Sequence, residues 1–211
     1  MKITKLEKIQ TKKDVFKLSF DNGESMLLSA DIIVKFRLNA GVEISDDTYK
    51  EILAADKAYR VMFDALTLIG KRPYCAKGLY DKLIQKGYEP QGAQAAVERL
   101  TELEYINDEK YAQNLAKYLT DNGKGEFAVK QELSKKGISK DVIEKSIKSL
   151  NTEQEPFEQI LKMLESKFKN FNPKDKTEVR RAANFFLRRG YTSEDISKAF
   201  RNFKNVSLDE E

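Results

Sequence analysis

The sequence predicts a mainly α-helical fold: an elongated array of three tandem three-helix, helix-turn-helix-like repeats preceded by a small α+β module with a β-hairpin. Three observations predict it. One phrase recurs, as "QKGYEPQGAQAAVERL", "KKGISKDVIEKSIKSL" and "RRGYTSEDISKAFRNF", centred on Gly87, Gly137 and Gly190. Apolar residues keep fixed offsets from those glycines in every copy. The first 57 residues read differently, with "VFKLSF" alternating in the period of a half-buried strand.

The N-terminal module reads as follows. "VFKLSF" sets Phe16, Leu18 and Phe20 on one face of a strand, and "SMLLS" supplies the return strand. Between them lies Asp21–Glu24, whose Asn-Gly pair tolerates positive φ and marks a hairpin. Residues 2–10 add a third strand. "SADIIVKFRL" then predicts a short helix capped by Ser29 and stopped before Gly41.

From Tyr59 onward the period is helical. Leu83, Leu133 and Phe186 stand before the three glycines; Ala93, Ile143 and Ile196 follow, then Val97, Ile147 and Phe200, then Leu100, Leu150 and Phe203. These offsets make one apolar stripe per helix. A glycine behind a basic residue ends a helix: it takes the left-handed conformation at little steric cost, and the cation favours the negative end of the dipole. Ser139 and Thr192 cap the helices that follow, and Pro90 suits the first turn of its own. A third helix precedes each pair, over 57–69, 108–121 and 154–169. In the middle one Asn107 caps, and Ile106 and Tyr111 have staple spacing. The expected domains are 1–56 for the α+β module, then 57–106, 107–152 and 153–206 for the repeats, with an acidic tail at 207–211.

Composition narrows the function. No run of 18 apolar residues offers a membrane span, and "MKITKLEKIQ" lacks the apolar core of a signal peptide, so a cytoplasmic protein is expected. Without histidine and with Cys75 alone, histidine acid–base chemistry and the common transition-metal sites are out of reach. No phosphate-loop or nucleophile-elbow motif is present. We expect no enzyme, no catalytic residue, no metal and no cofactor. Net charge is zero over 1–57 and −1 over 58–109, but +4 over 110–150 and +6 over 157–206. The excess in the last two repeats points to an anionic partner, nucleic acid above all.

"ELEYINDEKYA" at Glu102–Ala112, "ELSKKGISKDVIEKSI" and the recurring KGY-type turns resemble the RecX family of bacterial recombinase regulators. The strand module leading into "FRLNAGVEI" is similar to an extension seen in some members. The chain departs from the family at "RPYCAKGLYDKL": Arg72 is kept, but Pro73–Gly78 replaces the expected Ser or Thr and Glu, and Gly78 weakens that helix. The resemblance implies a monomeric protein without a reaction of its own. It would bind RecA, preferentially as a filament on single-stranded DNA, with weak direct DNA binding and no membrane. It would restrain filament growth, strand exchange and ATP hydrolysis in recombination, DNA repair and the SOS response.

The candidate contacts are basic. Lys135, Lys136, Arg188 and Arg189 end the middle helices of their repeats, where they also favour the dipole. Arg180 and Arg181 lie early in a helix, where the dipole disfavours them, and with Lys174 and Lys176 they form the best basic cluster. Lys130 joins the same surface. Lys124 sits in "NGKGEF", which reads as a turn ahead of a phosphate cradle. Phe186, Phe200 and Phe203 fall on buried stripes, whereas Phe171, between helices, is left open to stacking on a single-stranded base. Tyr105, Tyr111 and Cys75 read as packing residues or bystanders. Two other readings compete: a helix-turn-helix transcriptional regulator, poor in base-reading side chains, and a protein-only helical adaptor.

Overall fold

The computed structural model describes residues 1–10, 14–153, 155–168 and 171–206. The expected acidic tail lies outside the described residues. The chain divides into two compact units, Met1–Arg72 with Leu79–Leu103, and Pro73–Gly78 with the residues from Glu104 onward.

The first unit opens with three antiparallel strands in the order β1-β2-β3: β1 (Ile3–Lys8), β2 (Val15–Phe20) and β3 (Ser25–Ser29). Leu6 pairs with Leu18, and Leu18 in turn with Met26. The hairpin differs from the expectation in its turn. Gly23 alone takes positive φ, at 83°, and the Phe20 N–H reaches the Glu24 carbonyl across a four-residue connection. Asn22 contributes through its side chain, accepting from the Glu24 N–H.

Helix α1 (Ala30–Lys35) follows. Ser29 occupies the cap position without bonding a helix N–H, so the expected side-chain cap is not made. Helix α2 (Asp46–Ile69) begins well before residue 57, because Ser45 caps it through the Thr48 N–H and Asp46 and Asp47 stabilise its positive end. Leu18, Leu28, Ile32 and Ile52 form one core between sheet and helices. Each fully buried side chain of this kind contributes ~1.5–3 kcal/mol. In the same unit α4 (Pro90–Glu102) packs on α2, with Ala93, Ala96, Val97 and Leu100 buried. Between α2 and α4 runs α3 (Ala76–Gln85), completing the first repeat in sequence.

The second unit holds two three-helix repeats: α5 (Asp108–Asp121), α6 (Glu126–Lys135) and α7 (Lys140–Glu153), then α8 (Pro156–Lys167), α9 (Lys176–Arg188) and α10 (Ser193–Val206). Asn107 caps α5 through the Lys110 N–H, and Thr192 receives the Asp195 N–H at the start of α10. One core gathers Ala112, Ala116, Leu133, Ile143 and Ile147; the other gathers Ile160, Leu164, Phe186 and Ile196. The stripe residues of the second and third repeats fall on these cores.

Candidate partner-binding surface

Each turn glycine is left-handed: φ is 91° at Gly87, 79° at Gly137 and 89° at Gly190. Their surroundings differ. A Cβ at Gly87 would meet nothing within 4 Å, one at Gly137 would press on the Lys77 side chain, and one at Gly190 would lie 2.7 Å from the Ala128 Cβ. Two of the three glycines therefore also permit a close approach between segments distant in sequence.

That approach is held by backbone groups. The Gly125 N–H donates to the Arg189 carbonyl at 2.9 Å and the Phe127 N–H to the Gly190 carbonyl at 3.0 Å. These are free N–H groups at the start of α6, so the third repeat's turn satisfies donors that α6 cannot. Gly125 is buried and could carry no side chain, since its Cβ would strike the Gly190–Tyr191 peptide. Cys75, at the matching position fifty residues earlier, donates its thiol to the Lys136 carbonyl at 3.3 Å. Burial pushes that thiol above its ordinary pKa. Sequence reasoning passed over Gly125 and set Cys75 aside; equal distance from their turn glycines was the signal for both.

This packing reassigns Arg189. Its guanidinium donates to the carbonyls of Asn122 and Gly123 at 3.2 and 3.1 Å and lies 4.7 Å from the centre of the Phe185 ring. The half-buried side chain clamps one repeat to the next instead of standing free. "NGKGEF" is correspondingly a docking turn: the N–H groups of Gly125 and Phe127 are spent on the Arg189–Gly190 segment, while the Lys124 side chain is exposed. Phe171 is likewise corrected. At 8% exposure it packs on Phe200 and Phe203, with ring centres 5.0 and 5.3 Å apart, and offers no face to a base.

The other basic candidates are partly or wholly exposed. Lys130 pairs with Glu126 and Lys135 with Glu132, each along its own helix. No ion pair among the described residues engages Lys124, Lys136, Lys174, Lys176, Arg180, Arg181 or Arg188. Helix α9 organises four of them. At roughly 100° per residue, Lys176, Arg180, Arg181 and Arg188 share one arc of about 140°, opposite buried Ala182 and Phe186. Each uncompensated cation there keeps its full attraction for an anion. Among the described residues no group of three or more His, Cys, Asp or Glu could hold a metal ion.

Three family models match the chain: the first, second and third three-helix domains of RecX, over residues 64–100, 107–147 and 153–200. Among curated relatives, the regulatory protein RecX of Streptococcus uberis is 31% identical over 98% of this chain and 80% of its own. That of Clostridium tetani is 28% identical over 92% and 91%, respectively. A crystal structure of regulatory protein RecX matches with a TM-score of 0.74 at 18% identity, over 94% of this chain and 98% of its own. The RecX structure from Lactobacillus salivarius matches with a TM-score of 0.65 at 21% identity, over 71% and 98%. At those identities the two structures speak to fold.

Proposed function

Because the chain belongs to the RecX family of regulatory proteins, we propose that it binds RecA, chiefly RecA filaments on single-stranded DNA, and restrains their growth, strand exchange and ATP hydrolysis. It acts in the cytoplasm as a monomer, within recombination, DNA repair and the SOS response, and has no reaction of its own. No helix among the described residues is long and apolar enough to cross a membrane.

The observation that carries the reading, beyond family membership, is the unpaired basic face of α9 with Lys136 and Lys174. A nucleoprotein filament presents phosphates at regular intervals, and each one neutralised by a cation releases counterions. Rigid helices hold their charges at fixed spacing, which suits a regular polyanion better than a mobile tail would.

The deciding experiment is RecA ATPase activity on single-stranded DNA, with filament length followed in parallel. Substoichiometric to equimolar protein should depress the rate and shorten filaments. Unchanged rate and length at saturating protein would overturn the proposal. A footprint on one duplex sequence, surviving competitor DNA, would instead identify a transcriptional regulator.

A further inference from the structure

One cavity of the first unit is unlike the basic face. About 330 Å³ in volume, it is lined by Tyr59, Phe63, Tyr88, Asp14, Asp64, Ser29 and Arg60. Tyr59 and Phe63 stack with ring centres 6.1 Å apart, and Phe63 is 58% exposed. Asp31 holds the Tyr59 hydroxyl at 2.6 Å.

Among the described residues, Arg60 and Lys86 are already committed. Arg60 donates to Asp56 at 2.6 Å and to the Leu27 carbonyl at 2.7 Å, and Lys86 pairs with Asp64. Lys8 approaches Asp14 only at 3.9 Å. Asp31, Asp14 and Asp56 all act on Tyr59, whose pKa is pushed up to about 12, first by its hydrogen bond to Asp31. The site thus has carboxylates beside an open aromatic face. It also has an unmet polar group: Ser29, 8% exposed, keeps its hydroxyl buried with no hydrogen-bond partner. Buried polar groups are nearly always paired, and this hydroxyl has no partner among the described residues.

We propose that this cavity receives an arginine side chain presented by a partner protein. A guanidinium stacks on an aromatic face and donates in several directions at once, toward Asp14 and the Ser29 hydroxyl. A polyanion is repelled by the same carboxylates, so the site is chemically distinct from the α9 face. The proposal is independent of what the basic face binds.

The test uses the full chain, isotopically labelled, and N-acetyl-arginine methylamide as the probe. Its neutral isostere, the citrulline derivative, is the control. Resonances of Ser29, Tyr59, Phe63 and Tyr88 should shift saturably with arginine and not with citrulline. Phe63→Ala should weaken the apparent affinity about three- to tenfold, the range set by losing one cation–π contact. Asp14→Asn should weaken it in the same direction; Asn tolerates the φ of 56° at this position. Unchanged far-ultraviolet circular dichroism would show that both variants are folded. Equal shifts with citrulline, absent or scattered shifts, or the same shifts produced by a single-stranded oligonucleotide or by raising protein concentration would each overturn the assignment.

Discussion

The Arg189 guanidinium donates to the Gly123 carbonyl at 3.1 Å, joining residues 66 apart in sequence and fixing the third repeat's turn over the second. Arg188 beside it has no such partner and is exposed. Adjacent arginines thus divide between holding the fold and facing solvent. Arg189→Ala should lower unfolding free energy by ~1–3 kcal/mol, since it strips charge-assisted hydrogen bonds and a ring contact. Arg188→Ala should stay within ~0.5 kcal/mol. Urea denaturation of the two variants gives the comparison directly.

The glycines offer a graded series. Gly87→Ala meets only the cost of a left-handed alanine, ~1–2 kcal/mol. Gly190→Ala adds collision with Ala128 and should cost more than ~3 kcal/mol. Gly137→Ala should fall between them, because the Lys77 side chain can partly move aside. Thermal midpoints in the order Gly87→Ala, Gly137→Ala, Gly190→Ala, from highest to lowest, are expected. A flat series would mean that the repeats do not meet at these turns.

Charge reversal separates surface from scaffold. Arg180→Glu, Arg181→Glu and Arg188→Glu combined, with Arg189 kept, should abolish inhibition of RecA ATPase while helical content stays unchanged. Binding of the unaltered protein to filaments should weaken steeply with salt, and the variant's residual binding should show a shallower slope. Full inhibition by the triple variant would move the contact surface away from α9.

Acid should loosen the first unit through Asp64. Burial alone would raise its pKa, but hydrogen bonds from Lys86 and Tyr88 outweigh this and hold it below the usual carboxylate range. A depressed folded-state pKa contributes stability that is present above the unfolded value, near 4, and lost as pH falls through the folded one. Asp64→Asn should therefore destabilise at pH 7 and lose that share of the acid dependence. Denaturant midpoints at pH 7 and pH 3 for both chains measure the difference.

Cys75 should resist alkylation. Its sulfur is buried against the Lys136 carbonyl and its pKa is raised by burial, so little thiolate forms at neutral pH. Thiol-specific reagents should label it slowly in the native chain and rapidly in urea. Fast native labelling would show that the contact between Pro73–Gly78 and the Lys136 turn is open much of the time.

The repeats were legible because helix signals are local: a left-handed glycine, a cap and a stripe each declare themselves within a few residues. Asn107 and Thr192 illustrate this, each bonding an N–H three residues on. Ser29 shows the limit. Its cap signal is genuine in composition, yet the side chain turns into a buried wall, a decision made by tertiary packing. The early start of α2 was readable in Ser45-Asp46-Asp47 and was outweighed by the more conspicuous period downstream. The clamp at Arg189 was not readable, since two neighbouring arginines differ only in what another repeat places beside them. The same holds for Phe171, whose position between helices suggested exposure until α10 closed over it.

Lys77 and Gly78, Phe127 and Ala128, and Arg180 and Arg181 occupy the same two places, counted back from their own turn glycines. Contacts to the following turn come from this pair in the first two cases, through Lys77 to Gly137 and through Phe127 and Ala128 to Gly190. In the third the pair is arginine, and both are exposed. A joint and an exposed cationic patch are therefore alternative uses of one position. Duplicating a further unit onto this end, in the same register, would bury both guanidiniums and extinguish the most basic part of the protein. Burying this position in a further joint and keeping its two cations exposed are mutually exclusive.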